Sequence, residues 1–207
     1  MIKTGFVGLD ELIGGYKEEI SCIYGVPASG KTTLAMLVAI EQSKEGKKVL
    51  FLDTENGFSV ERFIQLSKDE SLLKNIFLIK IKNFKEQCTR IDKIVTIADM
   101  FSLIIIDSIG SQYRGLVVKN PEKINKLLYK QLENLREISR KNIPVLVTNQ
   151  VYFNIDKKKI NLVGGEILKN NSECLIELEK KLKKRKLIVR KPFEKEIVFE
   201  IKDGELI

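Results

Sequence analysis

The chain has 207 residues, enough for one α/β domain with its own core and too few for two ordinary domains with a linker. It contains no histidine, which excludes Ser-His-Asp hydrolysis, Cys-His proteolysis and His-ligated metal sites, so any chemistry depends on carboxylates, lysine, hydroxyls or a bound cation. The net charge is +8, and the excess lies in one segment, KKLKKRKLIVRK, at residues 180–191. Such a strip is typical of a polyanion partner, although a lysine-rich edge strand that discourages aggregation has the same composition.

The cysteines and the apolar runs limit where the protein works. Cys22, Cys88 and Cys174 are far apart and have no CxxC spacing, so we expect reduced core residues and neither disulfides nor a zinc cluster. No apolar run approaches the roughly 20 residues that a membrane helix needs, and the first residues lack the layout of a signal peptide. We therefore expect a cytoplasmic protein without a membrane partner.

Short apolar runs alternate with helical patterns along most of the chain. The runs predict strands at Ile20–Tyr24, Val49–Leu52, Ile76–Ile81, Leu103–Ile106 and Val145–Val147. The helical patterns lie at Thr32–Ser43, Ser59–Ser67, Phe84–Met100 and Pro121–Lys141. Because strands that are apolar on both faces suit a sheet covered on both sides, the alternation predicts an open, doubly wound, mostly parallel α/β sheet.

The pattern changes after about residue 165. Three apolar runs separated by charged or turn residues follow at Cys174–Leu178, Leu187–Arg190 and Ile197–Ile201. They predict antiparallel strands that extend one edge of the sheet. The sequence shows no repeat, linker or domain boundary, so we expect a single domain over residues 1–207.

The segment GVPASGKTT matches the pattern GxxxxGK[ST] and lies between an apolar strand and an apolar helix. Its glycines allow a tight loop whose amide hydrogens point inward, and the helix that follows adds a positive N-terminal end. We expect Lys31 to reach the β and γ phosphates of a nucleotide, Thr32 to ligate Mg²⁺ and Thr33 to assist at the α phosphate. The expected phosphate loop is Gly25, Val26, Pro27, Ala28, Ser29, Gly30, Lys31, Thr32 and Thr33. The alternative is an accidental glycine-rich turn that opens a helix.

Polar residues follow three other predicted strands. Asp107, at the end of LIIID, is the expected Walker B carboxylate and would hold Mg²⁺ through water; Glu55, in FLDTEN, is the expected general base. In TNQV, the amides of Asn149 and Gln150 can bond a γ phosphate or the attacking water. Since ligands bind at the carboxyl ends of strands in open α/β sheets, these groups should converge on the phosphate loop. Purely structural roles stay open for each: a cap or turn for Asp107, a surface position for Glu55 and strand-end capping for the amides.

Taken in order, LDELIGG, GVPASGKTT, FLDTEN, LIIIDS, LVTNQV and GGEIL resemble the RecA-like recombinases of archaea and eukaryotes, and most of all their short archaeal members, paralogues of RadA. The resemblance runs from about Thr4 to Gly204. It implies the α/β fold of a RecA-like P-loop ATPase core, with a central, mostly parallel sheet flanked by helices and antiparallel C-terminal edge strands. It also implies ATP and Mg²⁺ as cofactors and a weak ATPase activity.

The same resemblance implies roles for individual residues. Lys31, Glu55 and Gln150 would be the catalytic group, with Glu55 the catalytic glutamate and Gln150 the γ-phosphate sensor. Arg62 would stack on the base, and Pro192 would lie near the nucleotide. The two DNA-binding loops would be residues 114–120 and 151–164, which both look flexible. The expected DNA contacts are Arg114, Lys119, Lys157, Lys158, Lys159, Lys183, Lys184 and Arg185, although a merely solvated loop fits the second loop's lysines equally well.

The sequence departs from the full recombinases in two respects. It begins directly at the core, so we expect no separate N-terminal DNA-binding domain, and its second loop is short, which argues against strand exchange. We expect an accessory ATP-binding and DNA-binding protein of repair and homologous recombination. Its partners would be DNA, a RadA-type recombinase or a Holliday-junction nuclease, with a homodimer as a further option. Two alternatives stay open: an adaptor that holds ATP as a structural ligand, and a regulatory or signalling ATPase of the same fold that does not act on DNA.

Overall fold

A computed structural model describes residues 1–154, 159–182, 184–202 and 205–206. The helices in these ranges are α1 (Val7–Ile13), α2 (Lys31–Lys44), α3 (Val60–Ser67), α4 (Phe84–Ile97), α5 (Ser111–Val117), α6 (Pro121–Arg140) and α7 (Gly165–Asn170). The strands are β1 (Ile20–Gly25), β2 (Val49–Asp53), β3 (Ile76–Lys80), β4 (Leu103–Asp107), β5 (Val145–Asn154), β6 (Lys159–Leu162), β7 (Cys174–Lys181), β8 (Lys184–Lys191), β9 (Lys195–Lys202) and β10 (Glu205–Leu206). Short 3₁₀ turns cover Glu70–Asn75 and Ala98–Met100. In this part of the chain, no helix is both long enough and apolar enough to cross a bilayer.

The strands form one sheet in the order β10-β9-β8-β7-β1-β5-β4-β2-β3, and β6 pairs with β5 beside this path. The strands from β3 to β7 in that order are parallel, whereas β8, β9 and β10 are antiparallel. The expected mostly parallel sheet with antiparallel edge strands is therefore confirmed. The prediction was wrong for β7, which pairs in parallel with β1. The chain reaches β7 from β5 through β6 and α7, a connection long enough for a parallel crossover.

Helices cover both faces of the sheet, which explains the unbroken apolar runs. Along β4, Ile104 and Ile106 pack on the side of α4 to α7, while Leu103 and Ile105 pack on the side of α1 to α3. All four side chains are fully buried, because successive residues of a strand point to opposite faces and both faces are covered.

The first expected DNA-binding loop, residues 114–120, is helical up to Val117. Arg114 lies within helix α5, and Lys119 lies in the turn that follows it. Tyr113 anchors α5 because its buried ring packs against Phe84 and its hydroxyl donates to Asn125 Oδ1 at 2.7 Å. Sequence reasoning missed this helix because it is short and carries Gly115, a poor helix former.

The second expected DNA-binding loop is largely a hairpin. Strand β5 continues to Asn154 and pairs antiparallel with β6, with Val151 opposite Leu162. Residues 155–158, which include the expected DNA contacts Lys157 and Lys158, lie outside the described residues. Lys159 begins β6. The β-branched and aromatic residues that follow Gln150 favour this strand continuation over a flexible loop.

Two of the three cysteines lie inside the core, as expected. Cys22 and Cys174 are buried, and burial raises the pKa of each thiol to about 12, so both are protonated at neutral pH. Cys88 is only half-buried and accepts a hydrogen bond from Gln131 Nε2 at 3.2 Å, between α4 and α6. Cys88 therefore lies at the edge of the core, against which it packs.

Candidate functional site

The carboxyl ends of β1, β2, β4 and β5 surround a cleft of about 360 Å³. It brings together the phosphate loop, both expected carboxylates and the expected sensor amide. The residues that line it are Pro27, Ala28, Gly30, Lys31, Thr32, Thr33, Glu55, Arg62, Asp107, Gln150, Arg185 and Ile201. These residues come from distant parts of the sequence, and the parallel sheet brings them together.

Two glycines give the phosphate loop its shape. Gly25 ends β1, and a Cβ there would lie 2.3 Å from the carbonyl oxygen of Leu178 on the neighbouring strand β7. Gly30 has a φ of 110° immediately before α2 begins, a conformation that favours glycine. The loop therefore turns tightly into the N-terminus of α2, where unpaired amide groups and the helix dipole attract anions.

Lys31 lies at the base of this loop. Its ammonium donates to the carbonyl oxygens of Gly25 and Val26, at 2.9 Å each. Burial lowers the pKa of Lys31, while the nearby carboxylates of Glu55 and Asp107 act in the opposite direction. A cation held among loop carbonyls can turn to phosphate oxygens when these enter the loop.

Asp107 ends β4 and is almost completely buried. Its Oδ1 accepts a hydrogen bond from the Thr148 hydroxyl, whereas Oδ2 finds no hydrogen-bond donor within the described ranges. Burial raises the pKa of Asp107, and the Thr148 and Thr32 hydroxyls beside it only partly offset this. A buried, unpartnered carboxylate oxygen near a hydroxyl suits a hard divalent cation such as Mg²⁺.

The protein oxygens at this position also fit a cation whose remaining ligands come from a substrate and from water. Among the described residues, no group of three His, Cys, Asp or Glu side chains could form a complete metal cage. Mg²⁺ is commonly bound by one or two protein oxygens together with phosphate oxygens and waters. Thr32 and Asp107 would supply the protein oxygens here.

The pKa of Asp107 leads to a prediction about Asp107→Asn. Because the folded-state pKa is raised, the ionised carboxylate destabilises the nucleotide-free fold, and this cost sets in as the pH rises from the unfolded value of about 3.9 through the folded value. The variant should be at least as stable as the parent at pH 7 without nucleotide, and its stability should vary less with pH. Urea unfolding from pH 4 to 7 measures both.

The matched control is Asp99→Asn, which changes an exposed aspartate that pairs with Lys141. With Mg²⁺–ATP present, Asp107→Asn should lose the stabilisation that depends on Mg²⁺, and Asp99→Asn should keep it. A nucleotide-free Asp107→Asn protein that is clearly less stable than the parent at pH 7 would contradict the argument.

Glu55 is held in one orientation by two donors. Its Oε1 accepts from the Ser108 hydroxyl, and its Oε2 accepts from Gln150 Nε2 at 2.8 Å. The carboxylate lies at the cleft and is open to solvent. A carboxylate oriented at this position can bind and deprotonate a water molecule.

The neighbouring Asp53 has a role that sequence reasoning missed. Its buried carboxylate accepts hydrogen bonds from the backbone amides of Glu55, Gly57 and Phe58, at 3.2, 3.0 and 3.1 Å. These bonds fix the turn that carries Glu55. An aspartate that follows a strand and precedes Asn-Gly is a turn signal, and the sequence contained that signal.

The two amides at the end of β5 have different roles. Gln150 lines the cleft and its Nε2 donates to Glu55, and its role as a sensor of the γ phosphate stays a prediction. Asn149 is fully buried, and its Nδ2 donates to the carbonyl oxygen of Val163 at 2.6 Å. The structural alternative therefore applies to Asn149, which secures the base of the β5–β6 hairpin.

Of the other two expected nucleotide contacts, only Arg62 lines the cleft. Arg62 is half-buried on α3, lines the cleft and donates to Gln65 Oε1 at 2.7 Å. Pro192 follows β8 and is not among the residues lining the cleft.

The basic strip forms most of the β7–β8 hairpin. Lys183 lies outside the described residues, and Lys184 is exposed at the start of β8. Arg185, another expected DNA contact, lines the cleft.

Acidic neighbours neutralise part of the strip. Lys186 pairs with Glu196 of β9 at 2.6 Å, and Arg190 bonds both Glu177, at 2.8 Å, and Glu194. The excess positive charge that is continuous in sequence is therefore less continuous in space.

A mostly parallel sheet with this loop after β1 and with carboxylates at the ends of β2 and β4 defines a RecA-like core. Comparison with known proteins agrees. The Rad51 family matches residues 1–206 of the chain. This chain belongs to the Rad51 family and, within it, to the RadB group, as the following relatives show.

The relatives cover most of the chain. A protein of Methanococcus maripaludis named DNA repair and recombination protein RadB is 39% identical over 191 residues, 88% of this chain and 87% of the relative. The protein of the same name from Methanoculleus marisnigri is 34% identical over 198 residues, 92% of this chain and 88% of the relative. A crystal structure of the RadB recombinase superposes with a TM-score of 0.84 and 33% identity, over 100% of this chain and 98% of that one.

Proposed function

We propose that this protein is a Mg²⁺-dependent ATPase of low turnover that uses its nucleotide state to change its contact with DNA in recombinational repair. One observation carries the proposal: the phosphate loop, Asp107 and the Glu55–Gln150 pair line the same cleft. The RadB relatives are named for DNA repair and recombination, which supports the biological setting.

In this proposal, different residues of the cleft bind the phosphates and the Mg²⁺ ion. The loop amides and the N-terminus of α2 attract the phosphates, and Lys31 neutralises them. Thr32 and Asp107 would hold Mg²⁺, which neutralises phosphate charge when it is bound. The pKa of Asp107 should fall on cation binding, because a positive charge favours the ionised form.

Glu55 performs the acid–base step in this proposal. It accepts a proton from the water that attacks the γ phosphate, and Ser108 and Gln150 keep its two oxygens in place. An incoming γ phosphate competes for the Gln150 amide, which would then leave Glu55. We expect slow turnover when no neighbouring subunit completes the site.

Two short connections lead from Glu55 to the expected DNA-binding segments. The first is Gln150 itself, since it belongs to β5, which continues directly into the β5–β6 hairpin. The second runs through Thr54: its hydroxyl bonds the backbone of Ser108, and its carbonyl oxygen accepts from Gln112 Nε2 of α5 at 3.1 Å. A shift of Glu55 or Gln150 can therefore move both segments.

The test is DNA affinity in three nucleotide states. Binding of single-stranded and branched DNA is measured without nucleotide, with Mg²⁺–ADP and with a non-hydrolysable ATP analogue. We expect non-specific affinity that falls steeply with salt and differs several-fold between the ADP and ATP-analogue states. The variant Arg114→Ala/Lys119→Ala should weaken DNA binding, while the control Lys44→Ala/Lys93→Ala should not.

Different outcomes identify the alternatives. Equal DNA affinity in all three states contradicts nucleotide control and favours an adaptor that holds ATP as a structural ligand. Nucleotide binding without any DNA binding at low salt favours a regulatory ATPase that does not act on DNA. The expected protein partners, a RadA-type recombinase or a Holliday-junction nuclease, stay predictions.

A further inference from the structure

The alternation of side chains along β8 separates the basic strip into two faces. Leu187 and Val189 are fully buried in the core on the α1 to α3 side of the sheet. Arg185 precedes them with the period of two that keeps side chains on one face, so it lies on the same side as the phosphate loop and α2. Lys184 and Lys186 lie on the opposite face by the same rule.

The neighbouring strand β9 supports this placement. Arg185 is paired with Phe199, which is buried in the same core. Ile201, two residues further along β9, lines the cleft, and its Cδ1 would lie 3.1 Å from a Cβ at Gly30. The start of β8 and the end of β9 therefore form one wall of the cleft, beside the phosphate loop.

The charges in the cleft favour an anion there. Among the described residues that line the cleft, three have basic side chains, Lys31, Arg62 and Arg185, and two have carboxyl groups, Glu55 and Asp107. Arg185 is half-buried, so water screens its charge less than that of the exposed Lys184. A guanidinium also presents several hydrogen-bond donors in a plane that matches phosphate oxygens.

We infer that Arg185 is a polyphosphate-binding residue of the nucleotide site, supplied by the same chain, and that it is not part of the DNA-binding surface. The inference rests on the proposed function for the identity of the ligand. The two faces of the basic strip then have different ligands. Arg185 contacts the nucleotide, while Lys184, on the other face, can contact another polyanion.

The test compares Arg185→Ala with Lys184→Ala, adjacent residues of one strand that differ in the face they occupy. Affinities for Mg²⁺–ATP and for tripolyphosphate are measured by calorimetry, after thermal unfolding without ligand has shown that both variants are folded. We expect Arg185→Ala to weaken binding of both ligands at least tenfold and Lys184→Ala to change it less than twofold. Arg185→Lys should recover part of the loss, because it restores the charge without the planar donors.

The outcomes separate this inference from the proposed function. If the parent protein binds Mg²⁺–ATP and Arg185→Ala binds it equally well, the inference is wrong and the proposed function stands. If Arg185→Ala weakens ATP binding but leaves tripolyphosphate binding unchanged, Arg185 does not contact phosphate and the inference is again wrong. If the parent protein binds no ATP, both the inference and the proposed function are wrong.

Discussion

Replacing Glu55 with glutamine should lower ATP turnover by about 10²–10⁴-fold, the usual contribution of a positioned general base. ATP affinity should change little, because glutamine has the same size and its amide oxygen can still accept a hydrogen bond from Ser108. The expected result follows from the geometry: both carboxylate oxygens are oriented, one by Ser108 and one by Gln150 at 2.8 Å. Steady-state phosphate release and equilibrium binding of ATP measure the two quantities separately.

The control for this variant is Glu61→Gln. Glu61 lies on the same segment, at the start of α3, and does not line the cleft. The substitution Glu61→Gln should leave turnover unchanged within about twofold, because Glu61 does not line the cleft. If Glu55→Gln hydrolyses ATP as fast as the parent, Glu55 is not the base, and the adaptor alternative gains support.

Replacing Lys31 with alanine should abolish the stabilisation that ATP gives the fold. At an ATP concentration of about 100 times Kd, the parent should gain roughly 2.7 kcal/mol of unfolding free energy. For a chain of this size that corresponds to a rise of roughly 5–11 °C in Tm. The variant should gain almost nothing, because it lacks the ammonium that in the parent donates to the carbonyl oxygens of Gly25 and Val26 within the phosphate loop. Thermal unfolding with and without Mg²⁺–ATP measures the difference.

Lys44→Ala is the matched control for Lys31→Ala. Lys44 is at the other end of the same helix, is exposed and pairs with Glu41. It should keep the full ATP-dependent rise in Tm. An equal rise in the parent and in Lys31→Ala would mean that the stabilising nucleotide binds elsewhere, and the proposed function would lose its central observation.

The sequence was most informative where one local pattern determines the structure. The apolar runs around Phe51 and Ile105 predicted strands covered on both faces, and the structure buries them on both faces. The GxxxxGK[ST] pattern located the loop before α2, because its glycines, lysine and threonine act within a few residues of one another. The convergence of Glu55, Asp107 and Gln150 followed from the direction of parallel strands alone.

The sequence was least informative where long-range contacts decide the structure. Arg185 and Lys184 are equivalent in a basic run, and only the register of β8 against β9 shows that they occupy opposite faces. Asn149 and Gln150 are equally polar, yet only Gln150 points to the cleft, because Val163 takes the Asn149 amide. Helix α5 depends on the anchoring of Tyr113 against another helix, which no local propensity contains.

The turn fixed by Asp53 has a consequence for any survey of variants. Three amide donors converge on one carboxylate, so loss of that acceptor would release several residues at once and let Glu55 sample many positions. A mutational scan scored only by turnover would place Asp53 among the reacting groups, although its side chain is buried and does not line the cleft. Distinguishing a residue that fixes this turn from one that takes part in the reaction requires a measurement of local order, such as amide hydrogen exchange across residues 54–58.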